Sequence, residues 1–217
     1  MDVTNNLPVL NSVEIRVLGA LIEKSKTTPD YYPMTLNSLT AACNQKTSRK
    51  PVTLYDEETV LIALDALRKM GLTSTATGGT SRSVKYKHNF TLVFPMTSAE
   101  LSVLCLLFLR GQQTVGEINT NSARLYEFES LEEVIMVLDK LAHADLPFVK
   151  QLPKRAGQKE ARFTHLFGET IELEEEGVPE EPARKNVNEL EARLSIVENE
   201  LATMKESLDK LMKELMG

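Results

Sequence analysis

The sequence predicts a mainly helical α+β fold in which a unit of three helices and a β-hairpin is written twice and followed by an amphipathic coil. Three observations carry this. Helical segments recur at matched places within residues 1–168, each series ends in two β-prone stretches around a turn, and the chain from Val187 onward falls into heptads.

The first helix is legible in "SVEIRVLGALIEK" (Ser12–Lys24), echoed at an offset of 86 by "SAELSVLCLLFLR" (Ser98–Arg110). Both begin with a serine suited to capping and carry a glutamate two residues later. Apolar residues then recur at helical spacing, as Ile15, Leu18 and Ile22, and as Leu101, Leu104 and Phe108. The second helix is "TLNSLTAAC" (Thr35–Cys43), echoed by "TVGEINTNS" (Thr114–Ser122), each with a threonine cap. The third contains "ALDALRKMGL" (Ala63–Leu72), echoed by "VLDKLAHADL" (Val137–Leu146).

Each copy then turns to strand. After Gly71, two β-prone segments flank Gly78–Gly79; after Pro147, two more flank "PKRAGQ". Three helices and a hairpin is the winged-helix arrangement, so residues 1–95 and 96–168 read as tandem winged-helix domains. Residues 169–185, acidic and proline-bearing, read as a solvated linker. In the segment 186–217, Val187, Leu194, Leu201, Leu208 and Leu215 take position a, and Leu190, Val197, Met204 and Leu211 take position d. This narrow stripe predicts a parallel coiled-coil homodimer, with attractive flanking pairs Arg193–Glu198′ and Glu200–Lys205′. A lone amphipathic helix folded against its own domains is the alternative.

The net charge of −6 divides unevenly. Residues 1–95 hold 11 basic against 8 acidic groups, residues 96–168 hold 8 against 9, and residues 169–217 hold 6 against 14. The acidity belongs to the tail, and a low overall isoelectric point leaves a nucleic-acid partner open. No apolar run is long enough to span a bilayer, and "MDVTNNLPVL" lacks a secretory pattern, so a cytoplasmic protein is expected. Cys43 and Cys105 lie in helical apolar patterns and read as reduced, buried thiols.

Chemistry-bearing motifs are sparse. His88, His143 and His165 are scattered without metal-ligand spacing, neither cysteine forms a CxxC pair, and there is no P-loop, dinucleotide fingerprint or nucleophile elbow. The expectation is a non-enzyme, with no catalytic residue, metal site or cofactor.

A binding role is the natural alternative to catalysis. In a helix-turn-helix fold the third helix enters the major groove. Here those helices start "DEETV" (Asp56) and "SLEEV" (Ser130), and first-turn acids favour the helix while repelling phosphate. With Val60, Leu64 and Leu67 inward, the first presents Glu57, Asp65 and Lys69. With Val134, Leu138 and Leu141 inward, the second presents Glu133, Met136 and Lys140. Basic residues gather elsewhere: Lys46, Arg49 and Lys50 before the third helix, Arg82, Lys85 and Lys87 in the first wing, and Lys154, Arg155, Lys159 and Arg162 in the second. Wings and loops suit phosphate contacts that position a protein on DNA, although exposed wing tips carry lysine and arginine for solubility alone.

The stretch "EKSKTTPDYYPMTLNSLTAACNQKTSRKPV" (Glu23–Val52), with "ALDALRKMGL", "RGQQTVGEI" (Arg110–Ile118), "RLYEF" (Arg124–Phe128) and "RFTHLF" (Arg162–Phe167), resembles the YceH family of uncharacterised bacterial proteins. The resemblance spans essentially the whole chain. It implies a tandem winged-helix fold and a bacterial, cytoplasmic protein, and brings no catalytic residue or cofactor. The functional expectation is a dimeric DNA-binding protein of the transcription-regulator type, contacting phosphate through the wings and the 46–50 loop. The alternative is a protein-interaction scaffold that does not bind DNA directly. No membrane partner is expected.

Overall fold

The computed structural model describes residues 6–76, 83–154 and 160–168. The linker, the heptad segment with its predicted dimerisation residues, and Arg82, Arg155 and Lys159 lie outside the described residues.

Helix α1 (Ser12–Thr27) begins one residue earlier than the capping serine suggested. Asn11 is the cap: its Oδ1 accepts from the Val13 and Glu14 amides, and the Glu14 carboxylate takes the Asn11 N–H at 2.9 Å. Helix α5 (Ser98–Arg110) shows the same shift, with Thr97 and Glu100 forming the reciprocal box. The reason is spacing. The box needs glutamate three residues after the cap, and Glu14 and Glu100 stand three beyond Asn11 and Thr97. Thr35 and Thr114 do cap α2 (Leu36–Cys43) and α6 (Val115–Ser122), and Asp56 and Ser130 cap α3 (Glu57–Lys69) and α7 (Leu131–Ala142).

Strands follow each third helix. In the first repeat β2 (Thr73–Ala76) pairs antiparallel with β3 (Lys85–His88), with Thr75 opposite Tyr86. A two-residue strand β1 (Met34–Thr35), between α1 and α2, adds to the outer edge of β3, giving the order β1-β3-β2. In the second repeat β4 (Val149–Gln151) pairs with β5 (Phe163–His165), and Gln113, between α5 and α6, bridges Phe163 in the place β1 holds in the first.

A four-residue helix α4 (Phe90–Val93) links the repeats. It delivers Phe90 and Phe94 into a ring cluster: Phe90 meets Phe108 edge-on at 5.9 Å and Phe167 at 5.4 Å, while Phe94 meets Phe148 at 5.7 Å. Leu10 reaches the same place from the N-terminal side, its amide donating to Phe167 O at 2.6 Å. A single set of buried apolar side chains therefore runs from Leu18 and Leu21 of α1 through Leu104 and Leu107 of α5 to Leu138 of α7. α5 is buried on nearly every side, which is why its sequence is apolar all round instead of striped.

Candidate functional sites

The long connection between α2 and α3 carries the first basic group, Lys46, Arg49 and Lys50. Three arginines hold it. Arg16, buried on α1, donates to Pro51 O at 2.7 Å, Cys43 O at 3.1 Å and Thr53 Oγ1 at 3.3 Å. Arg49 folds inward, and its side chain is 0% exposed. Its Nη1 and Nη2 grip Glu23 at 3.0 and 2.6 Å, and Nε and Nη2 donate to Ala42 O. From the second repeat, Arg110 Nη2 donates to Ser48 Oγ at 3.0 Å, and the Lys50 amide donates to Leu109 O at 2.9 Å. Ser48, the one described non-glycine residue at positive φ (60°), turns the chain just before Arg49 and Lys50, which make these contacts.

The loop therefore joins the two repeats, and Arg49 is not the exposed phosphate contact expected of it. Its Nη1 also donates to Ser48 O at 3.0 Å, and a guanidinium whose five N–H donors are spent on a half-buried carboxylate and two carbonyls has none left for an outside ligand. Burial alone would raise the Glu23 carboxyl; the hydrogen bonds and charge of Arg49, helped by Lys24, outweigh it and hold the group below the ordinary carboxylate range. Lys46 and Lys50 remain exposed.

A similar correction applies to Arg162. Both its terminal nitrogens bind Glu117, at 2.8 and 3.0 Å, and Nη1 also donates to Gln112 O at 2.9 Å. Of the remaining basic candidates, Lys87 and Lys154 are exposed and Lys85 is half-buried on β3.

These contacts border a polar cleft of about 260 Å³ between the loop, the start of α6 and β5, lined by Ser48, Lys50, Arg110, Gln113, Glu117 and Arg162 among others. Gly111, at φ 73°, makes the sharp turn that brings Arg110 and Gln113 to the same wall. Burial, then the nearby Arg49 charge, lowers Arg110 from the usual guanidinium range. Arg16, Arg110 and Gln113 were missed as site residues. Arg110 and Gln113 sat in the quoted "RGQQTVGEI", and Arg16 interrupts an apolar helix face, which is the available signal for a buried, functional cation.

A second surface lies on α7. Val134, Leu138 and Leu141 are buried as expected, and Met136 is exposed. Glu133 is tied down, accepting from Tyr126 Oη at 2.9 Å and the Glu129 amide at 2.8 Å. Lys140 bonds Glu100 at 2.6 Å. Beside the exposed Glu132, Asp139 and Lys140, α7 offers three exposed apolar side chains: Leu131, Ile135 at 52% and Met136 at 64% exposure. Leu131 and Ile135 continue into a cleft of about 840 Å³ between α6, α7 and the β4–β5 hairpin, floored by Val115, Val149, Phe163 and Leu166. On α3, Ile62 is likewise exposed, and Arg68 pairs with Asp65 at 2.9 Å.

Comparison with known proteins agrees with the sequence resemblance. The model of a family described as a protein of unknown function, DUF480, matches residues 10–158. The chain belongs to this family. A UPF0502 protein of Opitutus terrae is 48% identical over 178 residues, covering 81% of this chain and 77% of its own. One from Solibacter usitatus is 44% identical, covering 93% and 95%, and one from Shewanella halifaxensis 42%, covering 92% and 96%. These relatives cover between 81% and 93% of the chain. Among the described residues no helix is long and apolar enough to cross a membrane, and no three potential metal ligands gather.

Proposed function

We propose that the chain is a non-enzymatic, cytoplasmic tandem winged-helix protein that docks a protein partner on the third helix of its second repeat. The topology supports the winged-helix reading in both repeats. A short strand between the first two helices pairs with the second strand of the hairpin: β1 with β3, and Gln113 with Phe163.

One observation carries the functional reading. The helix that would enter a major groove presents Leu131, Ile135 and Met136 beside an apolar cleft, and no unpaired cation. Exposed apolar surface next to a preformed groove marks a protein interaction site. The partner is an amphipathic helix whose apolar stripe fills the cleft and whose flank carries carboxylates. Lys150 and Lys154, with no carboxylate within ion-pair distance among the described residues, stand on the rim together with Glu160 and Asp139, the latter 3.1 Å from His143 Nδ1.

The test is selection of helical peptides from a displayed library against the full chain, with counter-selection against the double variant Ile135→Glu, Met136→Glu. Enrichment of apolar-striped, acid-flanked peptides that bind only the unmodified protein supports the assignment. Peptides that bind both proteins equally, or no enrichment, overturn it.

A second reading keeps the DNA expectation, on the exposed Lys46, Lys50, Lys87 and Lys154. Duplex binding through about four phosphate contacts would weaken steeply as salt rises. Tight, salt-dependent binding lost on charge reversal of these four lysines would establish that reading; no binding at low salt would dismiss it. In either case the heptad segment is proposed to make the dimer. Removing residues 184–217 should then halve the mass by light scattering, and an unchanged mass would reject it.

A further inference from the structure

Several acceptors of the polar cleft between the repeats are already taken. Both Glu117 carboxylate oxygens are occupied, Oε1 by Arg162 Nη2 and Oε2 by Arg162 Nη1 and the Thr114 amide. Gln112 O is taken by Arg162, and Gln113 Oε1 by the Asn121 amide at 2.9 Å. Two buried donors are left unmatched. Gln113 is only 3% exposed, yet its Nε2 has no acceptor among the described residues, and neither has Arg110 Nε. Buried donors without partners are uncommon, and each calls for an explanation.

Charge points the same way. Four cations line the cleft. Arg49 is neutralised by Glu23 and Arg162 by Glu117. Arg110 and Lys50 have no carboxylate within ion-pair distance among the described residues, leaving a local surplus of two positive charges. Three stretches quoted for the family resemblance, those ending in "SRKPV" and beginning "RGQQ" and "RFTH", each send residues to this one place. Holding the loop to α5 needs only the backbone contact from Lys50 and the Ser48–Arg110 pair. It does not account for the Lys50 side chain or for Gln113 Nε2.

We propose that this cleft is a binding site for a small oxyanion, a phosphoryl or carboxylate group on a metabolite. Arg110 and Lys50 supply the charge, and Gln113 Nε2 and Ser48 Oγ supply neutral donors. At about 260 Å³ it holds one such group with a few attached atoms. Because its walls come from both repeats, occupancy stiffens the joint between them, which makes the site suited to sensing a ligand.

The experiment is isothermal titration of the full chain at low ionic strength with inorganic phosphate and, separately, malonate. Saturable one-to-one binding of either is expected. The tighter of the two identifies the group as phosphoryl or carboxylate. Lys50→Ala, an exposed change that leaves the fold alone, should weaken binding about tenfold by removing one charge-assisted contact. Gln113→Leu, which keeps similar bulk, should lose binding while retaining a cooperative melt. Three results would overturn the site: no saturable binding of either anion, variants that bind as well as the unmodified chain, or displacement of the anion by a short DNA duplex, which would reassign the cleft to a nucleic-acid backbone.

Discussion

Cys105 donates its thiol to the carbonyl of Gly19 across 3.5 Å, and the two residues, 86 apart, hold the same position in the two echoed first helices. The repeats therefore meet at equivalent points, α1 packing against α5 where Gly19 and Cys105 face each other. A Cβ on Gly19 would stand 3.0 Å from Phe108 Cβ and from Leu109 Cδ2. Glycine is present here for the approach of α5, at a site where helix propensity alone would favour alanine.

Gly19→Val should accordingly destabilise the protein by roughly 1–3 kcal/mol, the usual penalty for forcing extra carbons into a filled core. Gly19→Ala should lose less, because better helix propensity offsets part of the crowding. Urea unfolding measures both. A valine variant as stable as the original would mean that the helices do not cross this closely.

The Arg49–Glu23 pair predicts a larger effect. Removing one member strands the other in a buried place, and such losses run to about 3–5 kcal/mol. Arg49→Lys should recover little, since a single ammonium cannot reproduce the fork that spans Glu23 and Ala42 O. Lys46→Ala, a few residues away and exposed, should stay within about 0.5 kcal/mol of the parent. If the Arg49 and Lys46 variants unfold alike, the inward placement of Arg49 is wrong.

How much of this was legible depended on whether the signal was periodic or spatial. The echo between Ser12–Lys24 and Ser98–Arg110 placed α1 and α5, and the caps Thr35, Asp56, Thr114 and Ser130 placed four other helices, because those signals are local. The same local reading put the Asn11 and Thr97 caps one residue late, since serine propensity was weighed ahead of glutamate spacing. The inward pairing of Arg49 and Arg162 was not legible for a different reason. Arg49 and Arg162 meet Glu23 and Glu117 across 26 and 45 residues, and no pattern in the chain announces a partner at that distance. Ile135 escaped notice because, on a helix with apolar residues on two faces, periodicity does not say which face is covered.

Both cysteines should be unreactive while the protein is folded. Cys43 and Cys105 are fully buried, and burial pushes the Cys43 thiol up to about 12 and Cys105 higher still. The thiolate is the reactive form, so labelling by a disulfide reagent should be slow in native buffer and should release two equivalents once denaturant is added. Prompt labelling of either would place that thiol at the surface.

Two half-buried histidines set the acid limit. His88 lies in the first repeat with Nε2 3.1 Å from Ser25 Oγ, and His165 packs edge-on against Phe108 at 5.0 Å. Burial lowers each to about 4, with the Lys26 charge adding to the effect at His88. An unfolded histidine takes up its proton near pH 6.5, so between about 6.5 and 4 the unfolded chain binds more protons than the folded one. Stability then rises with pH across that window and falls as the solution is acidified, by up to roughly 1.4 kcal/mol per pH unit for each histidine. Glu23, Glu100 and Glu117, all held below their ordinary range, add to the loss only below about pH 4.5, where an unfolded glutamate takes up its proton. Denaturant midpoints measured from pH 7 to pH 5 therefore isolate the histidines. Replacing either by glutamine should remove about half of the slope in that interval, and a flat profile in the parent protein would show that neither ring is buried uncharged.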